Sequence, residues 1–245
     1  MNDKLKDLIP IGKLYDDVAH PALEEVGSVL HNTVKTTRFL FAPIDYLAMQ
    51  QDRFQNYLRR IGEKVEEQNL VESQPRIVGE VFESLKYTEQ ESLLTELFIN
   101  LLANSIDKTK QNMCHPAFPN IIKQLSPDEA VILYFLKDNI YEIKNHSFFN
   151  QEKMLFTNNQ IIYNKFPLEK LNVPTSFYVY MNHLNSLNLA GIWQKGNQVP
   201  TYENNKQNGV DIYNEIKLTE FGNMFVNSVI PKSLKNFSDI NKIHN

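Results

Sequence analysis

From Val26 to Val65 the apolar residues Val26, Leu30, Val34, Phe41, Ile44, Phe54, Leu58, Ile61 and Val65 recur at helical spacing. A stripe of this kind predicts long amphipathic helices. Pro43 should bend or split the run within "FLFAPIDYLAM", because proline removes a backbone donor and clashes with the preceding turn. A second helical pattern starts at Pro75, a favoured first-turn residue, and presents Ile77, Val78, Val81, Phe82 and Leu85 to a core. Thr88 followed by Glu91 reads as a capping box, and behind it Leu93, Leu94, Leu97, Phe98, Leu101 and Leu102 form a broad core stripe. Ser126, Pro127 and Glu129 make another helix start, as N-cap, first and third residues ahead of "AVILYFLKD".

Beyond that helix the periodicity weakens. An aromatic, Asn-rich stretch up to Lys165 offers only fragments of strand in "IYEI" and "QIIYNKF". Then follow a short helix in "FPLEK", a turn at Val173-Pro174, a helix over 175–189 and a strand in "AGIWQ". In "DIYNEIKL", Ile212, Ile216 and Leu218 share one face and Tyr213, Glu215 and Lys217 the other, the alternation of a half-buried strand. "LTEFGNMFVNSVIP" closes with a helix capped by Thr219 and facing inward through Phe221, Phe225 and Val229. Helix, helix, helix, hairpin, helix is the order of a winged helix-turn-helix. The expected fold is therefore mainly α: a helical module over 1–125, a winged-helix-like α+β module over 126–231 with a small β-hairpin wing, and a flexible tail over 232–245.

Composition narrows the function more than the fold. With 42% apolar and 11% aromatic residues the chain can build a core, and 29 acidic against 25 basic residues leave a net charge of −4. No global positive field draws in nucleic acid or anionic lipid. Cys114 is the single cysteine, which excludes an internal disulfide and fits a reducing cytoplasm. The start lacks the apolar core of a signal peptide and no stretch reaches the length of a membrane span, so a soluble cytoplasmic protein without stable membrane association is expected. His115 and Cys114 are adjacent and cannot close a tetrahedral metal site. No phosphate-binding, dinucleotide or nucleophile-elbow motif occurs, and the neighbouring carboxylates Glu24/Glu25 and Asp128/Glu129 lack the facing geometry of acid–base pairs, the latter having a capping role. No catalytic residue, cofactor or metal is expected.

Two surface features carry alternatives. The helix over 175–189 contains no Lys, Arg, Asp or Glu, so Asn182, His183 and Asn185, with Lys195 on the wing, are its candidates for contact with DNA or a protein partner. Specific DNA readers supply Arg or Lys to bases and phosphates, so a protein-contact or dimer module is the favoured reading and a DNA-binding regulator the alternative. Arg53, Arg59, Arg60 and Lys64 interleave with Asp52, Glu63, Glu66 and Glu67, and Arg59 stands four residues before Glu63, the pattern of a solvated helix face of mixed charge. The strip from Phe39 to Met49, if released from the core, would lie in a bilayer surface, which makes a membrane-active toxin a second alternative.

The blocks "YDDVAHPALEEVGSVLHNTVKT…LFAPIDYL", "VESQPRIVGEVFESLKYT…ELFINLLANSIDK" and "HPAFPNIIKQLSPDEAVIL", in that order over about Tyr15 to Leu136, resemble the abortive infection alpha family. The resemblance implies a bacterial anti-phage protein whose host cell stops growing or dies before phage are released. It implies no catalytic residues. Asp107, His115 and Pro116 lie in family-like blocks between two apolar helices and are the candidates for a trigger at the joint of the modules. The partners expected are a second copy of the chain, joined through helices or wing, and a phage or host protein.

Overall fold

The computed structural model describes residues 52–231. The expected helices and Pro43 bend before residue 52, the Phe39 to Met49 strip and the tail over 232–245 lie outside them. The described residues fall into two compact units, one ending at Gln124 and joined by Pro231, the other Leu125–Ile230.

In the first unit, residues 52–62 are helical (α1), followed by α2 (Pro75–Tyr87), α3 (Leu93–Ser105) and the short α4 (Phe118–Ile122). Pro75 occupies the first turn of α2, and Ile77, Val78, Val81, Phe82 and Leu85 are buried together. The start of α3 differs from expectation. Thr88 ends α2, donating its hydroxyl to the Ser84 carbonyl at 2.8 Å, and Ser92 caps α3 by accepting the Thr95 N–H at 3.2 Å. The Thr88/Glu91 spacing is that of a capping box, but the apolar stripe that pays for helix burial begins only at Leu93, so the cap nearest to it is the one used.

α3 is buried along most of its length, and Glu96 is buried with it. An uncompensated carboxylate there would be costly. Arg60 of α1 pairs with it, and Lys64 lies 3.8 Å away. Arg60, expected on a solvated face, is thus half-buried, Lys64 stays exposed at the edge of the same carboxylate, and desolvation lowers the pKa of both below the ordinary values. Arg59 and Glu63 do form their exposed pair, at 2.6 Å.

The second unit runs α5 (Pro127–Leu136), β1 (Tyr141–Asn150), β2 (Leu155–Asn164), α6 (Phe177–Ser186), β3 (Ala190–Gln194), β4 (Val199–Glu203), β5 (Lys206–Leu218) and α7 (Glu220–Val229). Its strands form one five-stranded antiparallel sheet, ordered β2-β1-β5-β3, with β4 also on β5. The expectation of a mainly α fold is therefore overturned: the architecture is mixed α+β. The expected pairing of "AGIWQ" with "DIYNEIKL" is present, Ile192 opposite Ile216, but not as a small hairpin. β5 is the shared centre, with β1 along one edge and β3 and then β4 along the other. The fragments "IYEI" and "QIIYNKF" fall in β1 and β2, and the strand residues that were not expected have a common physical cause. β2 and β4 are exposed on both faces, so neither carries the alternation that reveals a half-buried strand. The turn before β5 was nonetheless written locally, as Asn204 and Asn205 both take positive φ, the requirement of a two-residue hairpin turn.

Helices close the unit by their caps. Ser126 and Glu129 form the reciprocal capping box of α5, and Thr219 caps α7 by accepting the Gly222 N–H at 2.8 Å. α6 ends earlier than expected, at Ser186. Asn188 takes φ 56°, and the Asn188 and Leu189 N–H groups bond the Asn185 and Leu184 carbonyls in the pattern of a left-handed helix terminus. That terminus lies against the first turn of α7, where a Cβ on Gly222 would stand 1.8 Å from the Leu189 carbonyl oxygen. Glycine is required there by close approach, not by φ.

Gly222→Ala is expected to destabilise the second unit by about 3 kcal/mol or more. Gly79 in α2 has open space around its Cβ position, so Gly79→Ala should stabilise by roughly 0.5–1 kcal/mol. Urea denaturation of the two variants checks both signs.

Candidate functional site

The polar centre of the second unit forms where α5 begins. Pro127 is the first residue of α5, which places Asp128 and Glu129 second and third, at the positive end of the helix dipole, and both are buried. Asp128 Oδ1 accepts the Asn172 backbone N–H at 2.8 Å and its side-chain amide at 2.9 Å. Oδ2 accepts the Val173 N–H at 2.9 Å and the Tyr180 hydroxyl at 3.1 Å. Glu129 Oε2 accepts the Ser126 N–H at 2.7 Å and hydroxyl at 2.8 Å, and Oε1 lies 2.6 Å from His183 Nδ1. Burial, then the bond to Asp128, raises the pKa of the Tyr180 phenol.

This arrangement is a clamp. A carboxylate has about four lone-pair positions, and those of Asp128 are filled. It can accept a substrate proton only by leaving a buried donor unpaired. What it does is hold α6 and the turn before it on the start of α5. With Phe177, Met181 and Leu184 turned inward, the outer surface of α6 presents Tyr178, Val179, Asn182, Asn185 and Ser186. Val179 is 67% exposed, and none of these side chains is charged.

The sheet carries a second polar group. Lys144 and His146 of β1 hold Asp211 of β5, at 2.7 Å each, and Lys195 and Lys217 hold Glu215 at 3.0 and 3.2 Å. Tyr163 donates to Glu142, which Lys165 approaches at 3.2 Å. Hydrogen bonds from these donors lower the pKa of Asp211, Glu215 and Glu142, and the carboxylates in turn raise that of Lys144 and Lys195. The His146 ring occupies the place where a Cβ on Gly209 would sit, 2.6 Å from its Nε2.

The candidates from sequence are dispersed by these contacts. Asn182 and Asn185 lie on the outer surface of α6, His183 is drawn to Glu129, and Lys195 belongs to the Glu215 pair. Asp107 is buried in the first unit, opposite Leu70 in an isolated bridge. Burial opposes its ionisation, but bonds from Thr109 and Lys110 outweigh that and lower its pKa. His115 is exposed, its Nδ1 accepting the Ala117 N–H at 3.1 Å, and Pro116 follows it, half-buried. Sequence reasoning gave Asp128 and Glu129 only a capping role. The available signal was a surplus: Ser126 and Glu129 complete the cap by themselves, leaving Asp128 to find other donors.

Among the described residues no three His, Cys, Asp or Glu stand together as a metal site, and no helix is long and apolar enough to cross a membrane. The family model described as abortive infection alpha matches residues 49–229 of the 245. The chain belongs to that family. No curated protein and no solved structure matches it. The match reaches from α1 through α7, so the sheet and the clamp on α6 lie within the abortive infection alpha region, well past the blocks that end at Leu136.

Asp128→Ala leaves two backbone N–H groups and a phenol unpaired and should cost about 3 kcal/mol or more in urea denaturation. Acid should weaken the sheet for a different reason. The pKa of Asp211 is lower folded than unfolded, so its contribution is present above the ordinary carboxylate pKa of about 4 and is lost as pH falls through the folded value. The gap in melting temperature between the parent and Asp211→Asn should therefore narrow in melts recorded at successively lower pH.

Proposed function

We propose that this chain is a bacterial phage-defence protein that acts in the cytoplasm by abortive infection, and that it does so by binding other proteins rather than by catalysis. The observation that carries the reading is the family match over 49–229. Contact through protein is supported by the outer surface of α6, which offers Tyr178, Val179 and Asn182 without a cation for phosphate. Lys144, Lys165, Lys195 and Lys217 are each committed to a carboxylate within the unit, which leaves them poorly placed to release counterions on a nucleic acid. The saturated lone pairs of Asp128 support a non-enzymatic role.

Cells expressing the protein are to be challenged with a broad phage panel at low and high ratios of phage to cell. Protection at the low ratio with arrest or collapse of the culture at the high ratio is expected. Survival at the high ratio, or absence of protection across the panel, overturns the reading. Val179→Arg changes only an exposed side chain and should keep the melting temperature while reducing protection roughly tenfold or more, as a charge placed at a protein contact does. Added positive charge would strengthen a DNA contact instead, so retained protection with tighter, salt-dependent duplex binding points to a regulator.

A further inference from the structure

β2 is an edge strand. Its inner side pairs with β1, and among the described residues no strand lies on its outer side. Leu155, Phe156, Ile161 and Ile162 on it are 45%, 47%, 50% and 53% exposed, and Met154 at its start is 75% exposed. Soluble proteins protect long edges with charge, proline or cover. β2 has neither charge nor proline in "LFTNNQIIYN", and its protective features are two irregularities: a bulge at Asn158 and Asn159, left over between the Thr157–Phe148 and Gln160–His146 pairs, and a second at Ile162, left over between the Asn145–Ile161 and Lys144–Tyr163 pairs.

The order of residues identifies what covers this edge. "LFTNNQII" is a palindrome in chemical character about the Asn158–Asn159 bond. Turned antiparallel on itself about that point, it sets Leu155 opposite Ile162, Phe156 opposite Ile161, Thr157 opposite Gln160 and Asn158 opposite Asn159. The same register sets Glu152 of one copy opposite Lys165 of the other, so the flanking charges are opposite in sign. A two-fold axis requires a surface to complement itself, and this strand does so position by position. The central bulge falls on the axis and divides each strand into two limbs that pair crosswise, the second irregularity lying at Ile162 at the far end of one limb.

We infer that β2 is a homodimer interface, in which two copies of the chain join their sheets edge to edge in antiparallel fashion about Asn158–Asn159. The inference is independent of the defence reading. The five exposed apolar side chains offer on the order of 500 Å² per copy, less than the roughly 800 Å² of a standard interface, so the backbone ladder supplies part of the affinity and the dimer dissociates in the micromolar range.

The test uses the full chain in sedimentation velocity over roughly 1–100 μM, the range in which such a dimer dissociates. A concentration-dependent dimer is expected, and Ile161→Glu should weaken it roughly tenfold or more with an unchanged circular dichroism melt, because the charge would face Phe156 of the other copy. Register is read independently by cysteine pairing, since Cys114 is buried. Thr157→Cys and Gln160→Cys chains should form a disulfide-linked dimer when mixed and oxidised, and neither should do so alone. A chain that is monomeric throughout, a dimer unaffected by Ile161→Glu, or cross-linking of either cysteine variant alone overturns the inference. So does a monomer that floats with vesicles of phosphatidylcholine and phosphatidylglycerol, which would assign the apolar edge to a lipid surface.

Discussion

Two adjacent carboxyl groups buried in a protein interior need hydrogen-bond partners, and beyond the Ser126 cap Asp128 and Glu129 find theirs far along the chain. The helix dipole at the start of α5 favours negative charge, but the decisive supply comes from Asn172, Val173, Tyr180 and His183. These donors lie on α6 and the turn before it. The position of α6 is therefore set by electrostatics as well as by Phe177, Met181 and Leu184. Hydrogen bonds to a buried carboxylate add modest net stability, yet removing one partner is costly, so they act chiefly to fix one arrangement. Here that arrangement determines which side of an uncharged helix faces outward.

β5 has a comparable place in the sheet. It pairs with β1, β3 and β4, and the residues that alternate along it divide into a buried set around Val210 and Ile216 and an ion-paired set around Asp211 and Glu215. Opposite charges on facing strands give the open side of the sheet a fixed register. The outer edge at β2 has no such charges. Within one unit the sheet thus combines a side whose polar groups are matched internally and an edge whose apolar groups are not, and that contrast separates internal bonding from surface left for a partner.

Much of the helical structure was legible because its signals are local. Pro75, the Ser126/Glu129 box and Thr219 are helix starts that a few neighbouring residues complete, and the buried positions of α2 follow from spacing alone. Where two local signals competed, as Thr88 and Ser92 did, tertiary burial of the Leu93 stripe chose between them. The sheet was legible only in part. β5 showed alternation because one of its sides is buried, whereas β2, open on both sides, offered only the fragment "QIIYNKF", so the sheet was underestimated and the whole fold read as mainly α. The palindrome in β2 was present in the chain throughout, but it acquires meaning only when the strand is known to be an edge.

The sequence by itself determined the caps at Ser126 and Thr219, the absence of charge on α6 and the family-like blocks, because each depends on residues within a few positions of one another. The tertiary structure decided the rest: that Glu96 meets Arg60, that Asp128 is saturated by Asn172, Val173 and Tyr180, that His183 faces Glu129, and that β2 is left at the rim. Those contacts join residues tens of positions apart, and no periodicity along the chain records which distant donor a buried charge will find.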